Sequence, residues 1–217
     1  MAVRPSSEKA DKDCARSRFS MRRLRRSELP IPTLKLARFL IGKTLVHDLP
    51  VGRISGRIVE TEGYPPGDAA GHAFPGERPG NRSLFLERGH AYVHFSYGCC
   101  WLLNVTSEKH GVGGGVLLRA LEPLEGIGFM QRGNRNMLRI RDLARGPGRL
   151  GLALRIDKRC DGADLCSQGP LWLGSAAWQP NRVGTSVRIG ITRDADRLFR
   201  FYERGNACVS GPARLPE

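Results

Sequence analysis

The sequence predicts a single mixed α+β domain over 30–217, built on a curved, largely antiparallel β-sheet surrounded by helices. Three observations predict it. Short apolar runs recur between tight Gly/Pro turns; helical patterns are inserted among them without a regular strand–helix alternation; and the chain is long enough for one substantial core. At 217 residues and 40% hydrophobic content, a chain of this size buries roughly 70% of its unfolded surface. That composition excludes a wholly disordered chain, a collagen-like repeat and a disulfide miniprotein.

Taken in order, residues 1–29 read as a disordered basic tail. They are polar and charged, with Arg22-Arg23-Leu24-Arg25-Arg26 near the end and few apolar anchors. Order is expected from Pro30. Thr33 can cap a helix that carries Leu36, Ala37, Leu40 and Ile41 on one face, with Gly42 stopping it. Strands are expected at 43–49, 53–61, 90–97 and 101–106, and another at 116–121 after the flexible Gly113-Gly114-Gly115 turn. Glu122-Pro123 then opens a helix to about 132, since Pro is welcome in a first turn. The stretch 139–158 is basic and helical in pattern, broken by Gly146-Pro147-Gly148, and strands return at 187–192 and 198–203. No internal repeat is visible.

Charge gives the first functional clue. Lys+Arg is 35 against 21 Asp+Glu, a net +14, and 29 of the basic residues are Arg. Such self-repulsion is usually tolerated because a polyanion is the partner, and Arg meets phosphate in a bidentate way that Lys does not. Nucleic acid leads as that partner, ahead of an anionic membrane surface; an Arg-rich composition with no partner is the bland alternative. No run of about 18 apolar residues predicts a membrane-spanning helix. Six cysteines (Cys14, Cys99, Cys100, Cys160, Cys166, Cys208) show neither CxxC spacing nor a paired His motif, so no metal site and no disulfide framework are expected. With no apolar leader, the expected compartment is the reducing cytoplasm.

Several residues do not fit a plain core. If Ile58-Val59-Glu60-Thr61-Glu62-Gly63-Tyr64 stays extended, Glu60, Glu62 and Tyr64 share one face, with successive side chains about 6.5–7 Å apart. A solvated strand face is the ordinary reading. The abrupt stop at Gly63-Tyr64-Pro65-Pro66-Gly67 instead places Glu62 at the mouth of a site, where a carboxylate suits the polarising of water. Arg119 interrupts the apolar run Val116-Leu117-Leu118-Arg119-Ala120-Leu121 and needs an anionic partner there, from Glu62, Glu60 or Glu122. Asn104 in Trp101-Leu102-Leu103-Asn104-Val105 is either internally hydrogen-bonded or exposed at a pocket wall. Tyr97-Gly98 ends a strand and can present a ring that wedges into a base stack, although a core tyrosine is commoner. Tyr64, His72 and His94 together would line an aromatic slot suited to a flat purine. Arg145-Gly146-Pro147-Gly148-Arg149 introduces a helix, where free N–H groups favour a phosphate.

In this order these residues resemble the alkyladenine (3-methyladenine) DNA glycosylase family. The resemblance is carried by Leu36-Ala37-Arg38-Phe39-Leu40-Ile41-Gly42-Lys43, by Gly56 through Tyr64, by Tyr97-Gly98 followed at an interval by Asn104-Val105, and by Val116 through Leu124. It continues with Arg145-Gly146-Pro147-Gly148, Arg188-Ile189-Gly190-Ile191 and Arg200-Phe201-Tyr202, and spans roughly 30–210. The resemblance implies that Glu62 activates water for attack on the sugar C1′ and that Arg119 orients that assembly. It implies that Tyr97 enters the minor groove to fill the gap left by an extruded nucleotide. Tyr64 and His72 match residues that hold the flipped base, Asn104 an amide that screens substituents on normal purines, and Leu117 a nearby apolar contact. Arg82, Arg145, Arg149 and Arg188 are candidates for the DNA backbone.

The implied partner is double-stranded DNA containing damaged purines, met by a monomer, nucleoid-associated in a bacterium or nuclear in a eukaryote. The implied reaction needs no cofactor. An alkylated purine carries positive charge and leaves readily, and with water as nucleophile the strand is left uncut. Two departures stand out. His94 occupies a place where the family usually has a third pocket tyrosine, and a protonated His94 would repel a cationic base. Gly80 stands in 75–82 where a basic residue is common. Two rivals stay open at this point: a non-enzymatic basic DNA-binding protein, and a sugar glycosidase using Glu60 and Glu62 as an acid/base pair.

Overall fold

A computed structural model of the chain describes residues 21–96, 98–132, 139–175, 180 and 182–211. Among these, nine strands form one open, antiparallel sheet accompanied by three α-helices, the α+β architecture expected. The strands are β1 (Arg22–Arg23), β2 (Thr44–Leu49), β3 (Gly52–Tyr64), β4 (Ala91–Ser96), β5 (Cys100–Thr106), β6 (Gly115–Glu125), β7 (Leu171–Ser175), β8 (Val183–Ser186) and β9 (Arg200–Glu203). The helices are α1 (Thr33–Leu40), α2 (Ile127–Arg132) and α3 (Pro147–Ala153). The main path runs β1-β7-β2-β3-β6-β5-β4.

The 13-residue β3 is the spine. One edge pairs with β6 over 55–64; the other is shared by β2 and, over 60–62, by β9, which in turn pairs with β8. Its apolar alternation explains the two faces. Ile58 turns toward the core with Val93, Leu103, Val105, Val116 and Leu118 from the neighbouring strands. Leu36, Ala37 and Leu40 of α1 and Leu150 and Ala153 of α3 cover that face. On it the Thr61 hydroxyl donates to the Ala37 carbonyl at 2.9 Å. Glu60, Glu62 and Tyr64 therefore project from the other face, and register shifts around Glu60 mark a bulge that re-aims them.

Helix α3 lies so close to β5 that a Cβ at Gly151 would come within 2.1 Å of the Trp101 carbonyl oxygen. Backbone cannot step aside as a flexible side chain can. Gly151→Ala is expected to destabilise the fold by about 2–3 kcal/mol, read as a lower urea midpoint; an unchanged midpoint would refute this tight approach.

Several expectations need correction. The tail does not extend to 29: Arg22–Arg23 pair with β7, a short turn of 3-10 helix follows at Arg26–Glu28, and Leu24 and Leu29 are buried in the core. Two leucines among many arginines suffice as anchors. Thr33 opens α1 without capping it by its own side chain; the Glu108 carboxylate accepts from the Thr33 N–H at 2.9 Å and takes that role. Glu122-Pro123 continues β6, because Pro123 meets β3 next to a register shift, where a missing N–H is tolerated. The helix starts at Ile127, after Gly126 turns the chain at φ 71°. Residues 139–158 split into a 3-10 turn at Ile140–Asp142, α3, and a second 3-10 turn at Lys158–Cys160. No strand forms at 187–192, whose backbone is spent on the site; β8 precedes it, and β7 and β8 lie outside every expected strand.

Candidate active site

Residues directly opposite in antiparallel strands point to the same side. Tyr92 faces Asn104, Asn104 faces Leu117, Leu117 faces Glu62, and Glu62 faces Arg200. Five strands thus deliver a row of chemically unlike side chains onto the face opposite α1. Arg119 lies two residues beyond Leu117 on the same side.

Glu60 and Glu62 carry no exposed surface, and the repulsion between them is met by two guanidiniums. Arg119 spans both carboxylates, at 3.2 Å to Glu60 and 3.3 Å to Glu62. Arg200 donates to Glu60 at 2.6 Å, and the Ser210 N–H donates to its other oxygen at 2.7 Å. Glu62 accepts from the Ile189 N–H at 2.8 Å on Oε1 and from the Tyr64 hydroxyl at 2.8 Å on Oε2. Burial and the Glu62 charge raise the Tyr64 pKa, so the phenol stays protonated and donates. Glu122 is not Arg119's partner; it pairs with Arg57.

Above this network opens a cavity of about 240 Å³, lined by Tyr64, His72, His94, Asn104, Leu117 and Arg119 among others. All five expected base-binding residues thus meet there, with Arg119 and with Glu62 behind them. The volume is below the roughly 300–1,000 Å³ of drug-sized sites and suits one small heterocycle. Tyr92, Ile189, Gly190 and Ile191 also line it. A strand reading of 187–192 hid the contribution of Ile189, whose backbone N–H carries no side-chain signal.

One wall is a cluster of three rings. His72 and His94 lie 4.3 Å apart between centroids, and His94 stacks on Tyr92 at 5.3 Å. His72 Nδ1 meets the Tyr92 hydroxyl at 2.9 Å. The Asn104 amide reaches both His94 Nδ1 and the Tyr92 carbonyl at 3.4 Å. Desolvation pushes the His72 pKa down, and desolvation together with His72 pushes that of His94 down to about 4. Both imidazoles are therefore neutral at pH 7, and the repulsion of a cation expected from His94 does not arise there.

That shift makes stability pH-dependent. The unfolded chain protonates His94 near pH 6.5, the folded chain only near pH 4. The stability held in a neutral His94 is complete above about pH 6.5 and is lost as the pH falls toward 4. The urea midpoint of the native chain is expected to drop more between pH 7 and pH 5 than that of His94→Tyr. Parallel drops would contradict the burial of a neutral ring.

The basic residues divide. Arg82 is exposed and 3.4 Å from Glu77; Arg149 is exposed on α3. Arg145 is half-buried, donating to the Val209 carbonyl at 2.8 Å, in the segment whose Pro147 borders the cavity. Arg188 needs correction. Its side chain is fully buried in an ion pair with Asp68, and its guanidinium lies 4.6 Å from the Tyr64 ring centre. Desolvation without a partner would be prohibitive, so Asp68 holds it inside, where no phosphate reaches. Arg188 supports the Tyr64 wall instead. Tyr97 lies outside the described residues. No helix among the described residues is long and apolar enough to cross a membrane.

An aromatic pocket set over a buried, guanidinium-clamped carboxylate makes a slot with the dimensions of a flat heterocycle. The sequence profile of methylpurine-DNA glycosylase (MPG) matches residues 27–207. A relative from Mesorhizobium japonicum is 64% identical over 192 residues, covering 88% of this chain and 92% of its own. One from Paraburkholderia phytofirmans is 53% identical with coverages of 88% and 90%, and one from Methanocella arvoryzae is 42% identical with coverages of 82% and 91%. All three bear the name "Putative 3-methyladenine DNA glycosylase". This chain belongs to the methylpurine-DNA glycosylase family: it is a DNA glycosylase, an enzyme that hydrolyses N-glycosyl bonds to remove damaged bases from DNA.

Proposed function

We propose that this glycosylase rotates an alkylated purine out of duplex DNA into the cavity and cleaves it from the sugar with a water activated by Glu62. The observation that carries this reading is the Glu62 carboxylate, held by Arg119, the Tyr64 hydroxyl and the Ile189 N–H directly behind a heterocycle-sized aromatic pocket. Extrusion costs a few kcal/mol, least for a damaged, poorly stacked base. Tyr97 enters the minor groove and fills the vacated stack. The base lies against the π-faces of Tyr64, His72 and His94, which are uncharged at neutral pH and accept a cationic ring. Asn104 and Leu117 set which substituents fit.

In the chemical step the water oxygen bonds to C1′ and the C1′–N bond breaks. The bonding electron pair passes to the purine and cancels its positive charge, so a cationic base needs no acid. Glu62 takes the water proton, and Arg119 holds the carboxylate in place. The product is an uncut strand with an abasic site. Arg82, Arg145 and Arg149 approach phosphates around the mouth, and the enzyme works as a monomer on nucleoid DNA in the cytoplasm.

A single-turnover base-release assay tests the reading, on methylated duplex and on duplexes holding hypoxanthine or ethenoadenine. Release of methylated purine is expected, with duplex affinity falling steeply as salt rises. Failure to free a base from any of these substrates overturns it.

A further inference from the structure

We propose that Cys99 and Cys100 form a dithiol site that captures a trivalent arsenical, and that its occupation blocks engagement of DNA. The two residues sit where the chain turns between β4 and β5, Cys99 exposed and Cys100 half-buried. Their sulfurs are 3.5 Å apart, in van der Waals contact. Both line a cavity of about 330 Å³ whose walls include Trp101, Arg149, Leu152 and Ile156. Among the described cysteines Cys160 and Cys208 are buried and Cys166 is half-buried; Cys99 is the exposed one, and Cys100 touches it.

Geometry selects the ligand. Adjacent Cα atoms are about 3.8 Å apart across a trans peptide, short of the roughly 4.4–6.8 Å that unstrained disulfides span. A direct S–S bond would need the backbone to distort and would be easily reduced. A single bridging atom joins two touching sulfurs without such movement. Trivalent arsenic forms two such bonds by exchanging oxygen for sulfur. With an aryl arsine oxide, both S–H bonds and the As=O bond break, two As–S bonds form, and the oxygen leaves with both thiol protons as water. Arsenic keeps its oxidation state, so no oxidant is needed. The apolar walls from Trp101, Leu152 and Ile156 then receive the aryl group.

The blocking effect rests on the glycosylase reading, since the pair follows Tyr97-Gly98 and borders Gly148 and Arg149 beside the site mouth. Capture itself does not. Phenylarsine oxide is added to the full-length chain and to a Cys99→Ser/Cys100→Ser variant, and intact mass is read without DNA. The native chain is expected to gain one adduct that survives excess glutathione and is removed by 2,3-dimercaptopropanol, while the double variant gains none that survives. The same adduct is expected to weaken binding to methylated duplex at least tenfold, with base release by the untreated double variant unchanged. An equally persistent adduct on the double variant, or one that glutathione removes from the native chain, overturns the site. A pair-dependent adduct that leaves DNA binding intact overturns the blockade.

Discussion

Glu62→Gln is expected to slow base release by about 10²–10⁴, the usual contribution of a positioned general base, or about 3–5 kcal/mol of transition-state stabilisation. Glutamine keeps the shape and one carbonyl oxygen, so it still accepts from the Tyr64 hydroxyl or the Ile189 N–H. It cannot take the proton of water, and its NH₂ group confronts a donor on whichever side it lies. Affinity for methylated duplex is expected to stay near that of the native chain, because the extruded base is held by Tyr64, His72 and His94 rather than by Glu62. A second variant separates charge from position. Glu62→Asp keeps the carboxylate but withdraws it by one methylene from Arg119 and Ile189, and a misplacement of about 1 Å costs roughly 10²-fold. Single-turnover rates with saturating enzyme measure both. Native-rate release by Glu62→Gln would remove this side chain from the chemistry and leave the pocket without its base.

The elements that place Glu62 are those whose pattern is local. Helix α1 and the runs that became β2 to β6 announce themselves through alternation and apolar periodicity, so the face carrying Glu60, Glu62 and Tyr64 could be read from spacing alone. Arg119 was legible for a different reason: an Arg inside an apolar run must have a buried acid. What spacing cannot give is the identity of partners far along the chain. Arg188 looked like a surface cation until Asp68, 120 residues away, closed on it. The N–H of Ile189 contributes to the site through the backbone, to which sequence patterns are blind. Pro123 misled because a proline that suits a helix start also suits a shifted strand register, and only the β3 partner decides between them. Leu24 and Leu29 were too few to outweigh their charged neighbours in sequence, yet burial in a shared core needs no periodic run.

Arg200→Ala is expected to destabilise the fold by about 3–5 kcal/mol, because a fully buried carboxylate loses the shorter of its two ion pairs. Glu60 would keep Arg119 and the Ser210 N–H as partners. Arg119 would then be drawn toward the undercompensated Glu60 and away from Glu62, since it lies almost equally far from each. The loss should therefore reach catalysis although Arg200 does not line the cavity: the release rate falls while duplex affinity is kept. Replacing both partners distinguishes the penalty of an orphaned charge from the worth of the pair. Glu60→Gln with Arg200→Met removes both formal charges together and is expected to regain much of the stability, because the dominant penalty is the undercompensated buried carboxylate rather than a lost attraction. Urea midpoints and single-turnover rates for Glu60→Gln, Arg200→Met and the double variant close the cycle. Additive losses in stability would mean that Glu60 and Arg200 do not act as a pair, and the charge network joining β9 to Glu62 would have no energetic reality.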